Sequence, residues 1–181
     1  MTSAIAAPVL LIGSWLLAPI RLPAYDSLRQ TISDLAAGDS KRRIPMTLVF
    51  SLAGLCHMVT AFSLPNFSTS GRVVLALGGI SLIGVAKYPL LTMESSLRAH
   101  TTWATVHFTT MSCWPLFAIS NDSTWIQSWE GSVFSVAIMG AMCLWFVLSL
   151  RNAKLLVGLS ERFMSGANVL WPLFLAIQMA S

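Results

Sequence analysis

Six apolar runs, each close to the length of a membrane-crossing helix, recur along this chain of 181 residues. A helix needs about 20 mostly apolar residues to cross the hydrocarbon core of a bilayer, which is roughly 30 Å thick. Lipid leaves unpaired backbone groups unsatisfied, so only helices and closed barrels span it, and these runs are continuous where barrel strands would alternate. The sequence therefore predicts an all-α membrane protein, a single domain over 1–181, folded as a bundle of six transmembrane helices at about 4–20, 46–64, 73–91, 101–119, 132–150 and 157–178.

The composition agrees with this class of protein. The mean hydropathy is +0.72, and 55% of the residues are hydrophobic against 10% that are charged, which lies outside the range of ordinary soluble domains. The first run resembles a signal peptide in its length, but no basic stretch precedes it and Arg21 follows it directly. We therefore expect a spanning helix there.

Lysine and arginine concentrate in alternate loops, which sets the expected orientation. One side of the bundle carries Arg21, Arg29, Lys41, Arg42, Arg43, Lys87, Arg98, Arg151, Lys154 and Arg162, whereas the other side has only Arg72. Because cytoplasmic loops of membrane proteins are enriched in Lys and Arg, the first, third and fifth loops are predicted to be cytoplasmic and both termini to lie outside. We expect a multi-pass protein of the bacterial cytoplasmic membrane.

The net charge of +4 is explained by cytoplasmic loops that face anionic lipid. We therefore predict membrane lipids as partners and no nucleic-acid partner. The sequence neither predicts nor excludes a homo-oligomer.

The fourth predicted span carries polar and aromatic side chains on one face. His100, Trp103, His107, Thr110 and Trp114 follow one another at helical spacing, so they share a face of the helix. Such a stripe could line an internal pocket, or it could be a helix–helix interface in which His and Thr bond to a neighbouring helix. The sequence leaves both interpretations open.

Two further ionisable residues fall in predicted spans, His57 in the middle of the second and Lys87 near the inner end of the third. Burying such a group in a membrane costs several kcal/mol unless it is paired, which makes it a pointer to function. For His57, an interface between helices is the favoured interpretation.

Metal or haem chemistry is not favoured. Two histidines seven residues apart on one helix are separated by about 10 Å, which is too far for both to ligate one zinc ion. His57 and His107 lie at different expected depths. Cys56, Cys113 and Cys143 lie in three different apolar spans and form no CxxC pair. This placement favours buried small side chains over a zinc site. We predict no metal and no cofactor.

The loop after the first span, residues 25–43, is the longest polar stretch of the chain. Tyr25, Leu28, Ile32 and Leu35 fall at helical spacing within it, which predicts a short amphipathic helix lying at the inner membrane interface. Asp26 is the expected N-cap, and the stretch at 37–39 is the expected end. This helix would hold Asp34 at the membrane surface, near the inner ends of the third, fourth and sixth spans.

Four stretches resemble a known family. TISDLAAG after the first span, GVAKYPL and RAHTTWATVHF across the third and fourth, and GLSERF before the last are similar to the bacterial and archaeal integral membrane proteins of domain-of-unknown-function family 998. The resemblance covers nearly the whole chain and implies a six-helix bundle, although Lys87 departs from a stretch that is usually uncharged in the family. It points to Ser33, Asp34, His100, Glu161 and Arg162. The family name carries no activity, so the resemblance implies the place of a site and not its chemistry.

The candidate catalytic residues Asp34, His100, His107 and Glu161 are expected to converge on the inner mouth of the bundle. An Asp that orients a His holds a general base in the right tautomer, and an Arg at the mouth suits a lipid phosphate or carboxylate. The candidate ligand-binding residues are Arg162, Arg98, Lys87, Tyr25, Trp103, Thr110, Trp114 and His57. The competing interpretation is an electrostatic latch, in which Asp34 and Glu161 pair with Arg98 and Arg162 and lock the loops to the bundle.

The leading functional hypothesis is an intramembrane pocket for a lipophilic small molecule, a lipid or isoprenoid, with its polar head at the cytoplasmic mouth. The alternative is a membrane-embedded enzyme that uses Asp and His for acid–base chemistry on that molecule, such as hydrolysis, isomerisation or cyclisation. A third hypothesis is a scaffold subunit that binds no ligand. Transport is disfavoured, because no inverted repeat and no matching pair of broken spans is evident.

The predicted orientation is testable by cysteine labelling of intact cells. With the three native cysteines replaced by alanine, Ser40→Cys should be shielded from a membrane-impermeant thiol reagent, because its loop is predicted to be cytoplasmic. Ser70→Cys, in the predicted outer loop before the third span, should react. Labelling of Ser40→Cys without permeabilisation would reverse the orientation and the predicted side of the site with it.

Overall fold

The computed structural model describes residues 1–22, 24–37, 40–63, 68–90, 94–118, 128–152 and 156–178. Within these ranges the regular structure is entirely helical, as predicted. The helices are α1 (Thr2–Arg21), α2 (Ile32–Leu35), α3 (Arg43–Ser63), α4 (Thr69–Lys87), α5 (Glu94–Phe117), α6 (Trp129–Arg151) and α7 (Val157–Gln178).

The six long helices form a closed ring. Each packs against the next in the order α1, α3, α4, α5, α6, α7, and α7 returns to pack against α1, while the short α2 packs against α7. Two clusters of buried apolar side chains fill the interior. One lies among α1, α2, α3, α4 and α7, and the other among α3, α4, α5 and α7.

The predicted boundaries are close to the observed ones except at the turn between α4 and α5. α4 ends at Lys87, earlier than predicted, because Pro89 disfavours a helical conformation for Tyr88 before it. α5 begins at Glu94, about two turns before the predicted start of the fourth span. His100 therefore lies inside a formed helix rather than at its first residue.

Three of the described helices, α3, α4 and α6, are long and apolar enough to cross a membrane. Their outward faces are consistent with contact to lipid. On α6, for example, Phe134, Ile138, Leu144 and Leu148 are all exposed, and soluble proteins rarely expose contiguous apolar surface of this kind. These features indicate a membrane protein.

Glycines allow α3 and α4 to approach each other closely. A Cβ atom added to Gly54 would lie 2.6 Å from the carbonyl oxygen of Gly79, and one added to Gly79 would lie 2.5 Å from that of Gly54. The two backbones therefore touch at this crossing, which is how small residues act in membrane bundles. His57 is buried at the same contact, in agreement with the interface interpretation.

The polar and aromatic stripe of α5 packs against α4. Trp103 lies flat against Gly84, where an added Cβ would come 2.6 Å from its Cε3 atom. The indole nitrogen of Trp114 donates to the carbonyl of Gly71 at 2.7 Å. His107 Nδ1 bonds the carbonyl of Gly78 at 2.9 Å. Of the two interpretations that the sequence left open, these contacts favour the helix–helix interface for Trp103, His107 and Trp114.

The predicted amphipathic helix over 25–35 is wrong in its extent. Residues 26–30 form a turn, in which the Asp26 carboxylate accepts from Leu28 N at 2.9 Å, and the helix is the single turn of α2. Its N-cap is Thr31 rather than Asp26, because Thr31 forms a capping box with Asp34 that satisfies two backbone donors at once. Ile32 and Leu35 are buried in the apolar cluster inside the ring, so this segment covers one end of the bundle. The predicted end at Gly38 and Asp39 lies outside the described residues.

Substitution of Gly84 tests the packing of α4 on α5. Gly84→Ala places a methyl group in the ring of Trp103 and should destabilise the protein by about 1–3 kcal/mol, the usual cost of overpacking. Gly140→Ala is the matched control, since nothing lies within 4 Å of a Cβ added there, and a helical Ala should stabilise by up to about 1 kcal/mol. Thermal unfolding in detergent measures both, and equal melting temperatures would contradict the packing described.

Candidate functional site

The segment that carries α2 is held to the start of α7 by a buried carboxylate. Glu161 is only 3% exposed. Its Oε2 atom accepts a hydrogen bond from the backbone N–H of Ile32, and the backbone N–H of Leu159 donates to the carbonyl of Leu28 at 3.1 Å. A buried carboxylate is costly unless it is hydrogen-bonded, so burial of Glu161 depends on this docked segment.

Arg162 clamps the same segment from its other side. Its Nη1 atom donates to the carbonyls of Ser27 at 2.7 Å and of Gln30 at 3.0 Å, and its Nη2 atom donates to the hydroxyl of Tyr25. The Tyr25 hydroxyl in turn donates to the carbonyl of Thr31 at 2.7 Å. Tyr25 and Arg162, predicted as ligand-binding residues, therefore hold the loop in place. Their contacts are those of a latch built on carbonyls and a phenol rather than on ion pairs.

Asp34 does not bond the imidazole of His100, which is a correction to the predicted pairing. Its Oδ2 atom accepts from Thr31 N at 2.7 Å, and its own N–H donates to Thr31 Oγ1 at 3.0 Å. The capping box turns the carboxylate back onto its own helical turn. Asp34 thus shapes the turn that carries Ser33, which precedes it.

Ser33 takes the place predicted for Asp34. Its Oγ atom lies 3.2 Å from His100 Nε2, and His100 Nδ1 lies 2.7 Å from the carbonyl oxygen of Tyr88. A carbonyl only accepts, so Nδ1 must carry the hydrogen, and the neutral ring then presents an acceptor at Nε2. The Ser33 hydroxyl therefore donates to His100. This is the arrangement of a nucleophile and its base, with a third group that fixes the tautomer.

The carbonyl of Tyr88 is available because α4 ends there. Tyr88 is the C-cap of α4, and the last carbonyls of a helix have no partner within it. His100, on α5, is the hydrogen-bond partner of this carbonyl. The Tyr88-Pro89 pair is the sequence signal that could have located this carbonyl, because proline ends the helix there.

A cavity of about 290 Å³ opens beside Ser33 and His100. Ser33, His100 and Glu161 contribute polar groups, and most of the remaining wall is made of apolar side chains of α5 and α6 and threonines of α5. The cavity is lined by Thr31, Ser33, Leu90, Leu97, His100, Thr101, Ala104, Thr105, Phe108, Thr109, Cys143, Phe146, Val147, Leu150 and Glu161. It lies on the face of α5 next to the predicted stripe, and nothing in the sequence marked the contribution of α6.

A second, smaller cavity of about 30 Å³ lies deeper in the ring. Ser33 and Glu161 line both cavities, and His107 and Ser165 line only the smaller one. His107 therefore lines the smaller cavity together with Ser33 and is not among the described residues on the wall of the larger cavity.

The other predicted ligand-binding residues lie away from the larger cavity. Trp103 and Trp114 pack on α4, and Thr110 bonds carbonyls of its own helix at Val106 and His107. Lys87 is exposed, stacks over the ring of Tyr88 and lines a separate groove at the start of α3. Among the described residues that line the larger cavity, neither Arg98 nor His57 is present. In the described part of the chain, no three His, Cys, Asp or Glu side chains come together as a metal site.

Comparison with protein families identifies the chain. The model of the family described as "Protein of unknown function (DUF998)" matches residues 5–178, so the chain belongs to this family, as its short motifs indicated. No curated protein and no solved structure gives a match.

The pKa of the Tyr25 hydroxyl reports whether the loop is docked. Burial raises the pKa of the Tyr25 hydroxyl from 10.0 to about 12, against the opposing effect of the Arg162 guanidinium. The folded protein binds this proton more tightly than the unfolded chain. The contribution to stability should therefore be complete below about pH 10 and be lost as the pH rises to about 12.

The measurement uses a Tyr88→Phe variant, because the chain has only 2 tyrosines. Tyrosinate absorbance of the folded variant should then rise with a midpoint near pH 12. Adding Arg162→Ala removes a guanidinium that lowers this pKa, so a midpoint that falls toward 10.0 in that variant would report undocking of the loop and not the lost charge. A midpoint near 10 in the intact clamp would show that the loop is not docked as described.

Proposed function

We propose that the protein is a six-span integral membrane protein whose cavity between α5 and α6 binds a lipophilic small molecule, a lipid or isoprenoid, with the polar part of that molecule beside Ser33, His100 and Glu161. The observation that carries this proposal is the cavity itself. It combines apolar walls with a few convergent polar groups at one end, which is the usual make-up of a small-molecule site.

The size and lining of the cavity suit part of an acyl or prenyl chain. Its volume of about 290 Å³ is at the lower end of the range for ligand pockets, which is about 300–1,000 Å³. Phe108 and Phe146 face each other edge to face, with centroids 5.7 Å apart, and supply rigid apolar surface. Such a site excludes water from the chain and leaves the head group at the polar end.

The cavity is open toward the outer surface of the ring. Leu97 on α5 and Val147 and Leu150 on α6 line it and are also among the exposed apolar side chains of the protein. In a bilayer these residues would face acyl chains. A membrane-dissolved molecule could therefore enter sideways between α5 and α6 without passing through water.

The polar end belongs to the side that we propose is cytoplasmic. The segment 24–37, the start of α5, the end of α6 and the start of α7 meet there, and the basic residues of the first, third and fifth loops flank it. Both termini would then lie outside. This orientation brings the head group of a bound lipid to the inner surface of the membrane.

A scaffold subunit without a ligand remains the competing proposal, and it is supported by the packed face of α5 against α4. The two proposals differ in what they require of the face of α5 that is directed toward α6. A scaffold needs no open cavity there, whereas a binding protein needs one that can be filled.

Filling the cavity tests the proposal. Thr105 lines the cavity and is exposed on α5, so Thr105→Trp should occupy the space and abolish retention of a co-purifying lipid. Thr102→Trp is the matched control, because Thr102 is also exposed on α5 and is not among the described lining residues. Native mass spectrometry before and after lipid extraction gives the retained species for each variant.

Wild type and Thr102→Trp should each retain the same species, and Thr105→Trp should retain none. A wild-type protein that holds no discrete lipophilic species when gently extracted would contradict the binding proposal and favour the scaffold. Equal retention by both tryptophan variants would place the ligand somewhere other than this cavity.

A further inference from the structure

The hydroxyl of Ser33 and the imidazole of His100 meet at the polar end of the cavity, and both line it. The distance from Ser33 Oγ to His100 Nε2 is 3.2 Å, within the range in which a general base takes a proton from a nucleophile in a ligand-free site. The Oε1 atom of Glu161 is farther from Ser33 Oγ, at 3.5 Å. Because the hydroxyl has one hydrogen, the geometry assigns it to His100.

The charge of the cavity restricts what can lie against Ser33. Among the described lining residues there is no Lys and no Arg, and the one carboxyl group is Glu161. A phosphate or carboxylate would enter this space with its charge uncompensated beside an acidic side chain, which is costly in an apolar surrounding. An uncharged carbonyl carries no such cost.

We propose that Ser33 is a catalytic nucleophile and His100 its general base, and that the substrate is an uncharged carboxylic ester of a long-chain acid. This inference rests on the proposed lipophilic cavity, since the acyl chain would lie between α5 and α6 with its ester carbonyl beside Ser33. It adds a reaction to the binding proposal.

The chemistry balances without a further reagent except water. Ser33 Oγ forms a bond to the ester carbon while its proton passes to His100 Nε2. The bond from that carbon to the alcohol oxygen then breaks, and His100 returns the proton to the departing alcohol. A water molecule next attacks the acyl group on Ser33 and gives a proton to His100. The bond to Ser33 Oγ breaks, the serine regains its proton, and a carboxylic acid leaves.

The smaller cavity can supply the water of the second half-reaction. Its volume of about 30 Å³ exceeds the roughly 10–15 Å³ that one water needs. Ser33, His107, Glu161 and Ser165 line it, which provides the polar partners that a buried water requires. Because Ser33 lies between the two cavities, water can approach from behind while the acyl chain occupies the larger one.

A fluorophosphonate with a long alkyl chain tests this inference on the purified full-length protein. The serine oxygen displaces fluoride from phosphorus, and the adduct should map to Ser33 by peptide mass spectrometry. Ser33→Ala should lose the label, and His100→Gln should slow labelling by about 100-fold or more, the usual contribution of a general base. Thr102→Ala is the control, because it removes a hydroxyl from the exposed surface of the same helix, outside the described lining of the cavity, and it should leave labelling unchanged.

Lipid retention is measured on the same samples, so that the two proposals can fail separately. A wild-type protein that retains a lipophilic species but takes no label and cleaves no long-chain fluorogenic ester would overturn the nucleophile assignment and leave the binding proposal in place. A protein that retains nothing overturns both. If Ser33→Ala does not fold, the site of the wild-type adduct decides, and a label on any other residue counts against Ser33.

Discussion

Burial of the Glu161 carboxylate is the constraint on which this end of the protein depends. An uncompensated charge of this kind costs several kcal/mol in an apolar surrounding, and the backbone N–H that compensates it comes from Ile32, 129 positions earlier in the chain. The buried position of Glu161 therefore depends on the docked loop. Arg162 holds the same loop through two carbonyl contacts and a phenol. A segment with only one turn of helix is thereby tied to α7 by several hydrogen bonds.

That docking also sets the position of Ser33. The capping box of Thr31 and Asp34 fixes the helical turn α2, and the carboxylate of Glu161 holds that turn against α7. The hydroxyl of Ser33, within the turn, then reaches His100. The base is positioned independently, by the carbonyl that α4 leaves free where Pro89 ends it. Two elements far apart in sequence thus supply the two halves of the pair. Precision of this kind requires supporting contacts around each half, and both halves have them.

The sequence predicted the helices well because a long apolar run has few alternatives in a membrane. It predicted the polar loop poorly, since Asp26 and Thr31 are both acceptable N-caps, and only the reciprocal bond with Asp34 three residues later distinguishes them.

On α5, hydroxyl and aromatic residues occupy more than one face, and periodicity alone cannot say which face meets a neighbour. The glycines of α4 decide, because Gly78 and Gly84 leave room for the side chains of Met111 and Trp103. The contact between Ser33 and Glu161 joins residues 128 positions apart, and no local pattern reports it.

The distribution of positive charge separates two kinds of surface at this end of the bundle. Lys41, Arg43 and Lys87 line a groove at the start of α3, whereas the described walls of the cavity beside Ser33 carry no cation. In the proposed membrane setting, anionic head groups of the surrounding lipid would be attracted to the groove, at about 1 kcal/mol for each basic residue near the membrane surface. The described cavity walls offer them no cation. On the proposed route between α5 and α6, an apolar chain with an uncharged polar group would be favoured, and we infer that an ester carbonyl, rather than a phosphate, is the group matched to the Ser33 hydroxyl.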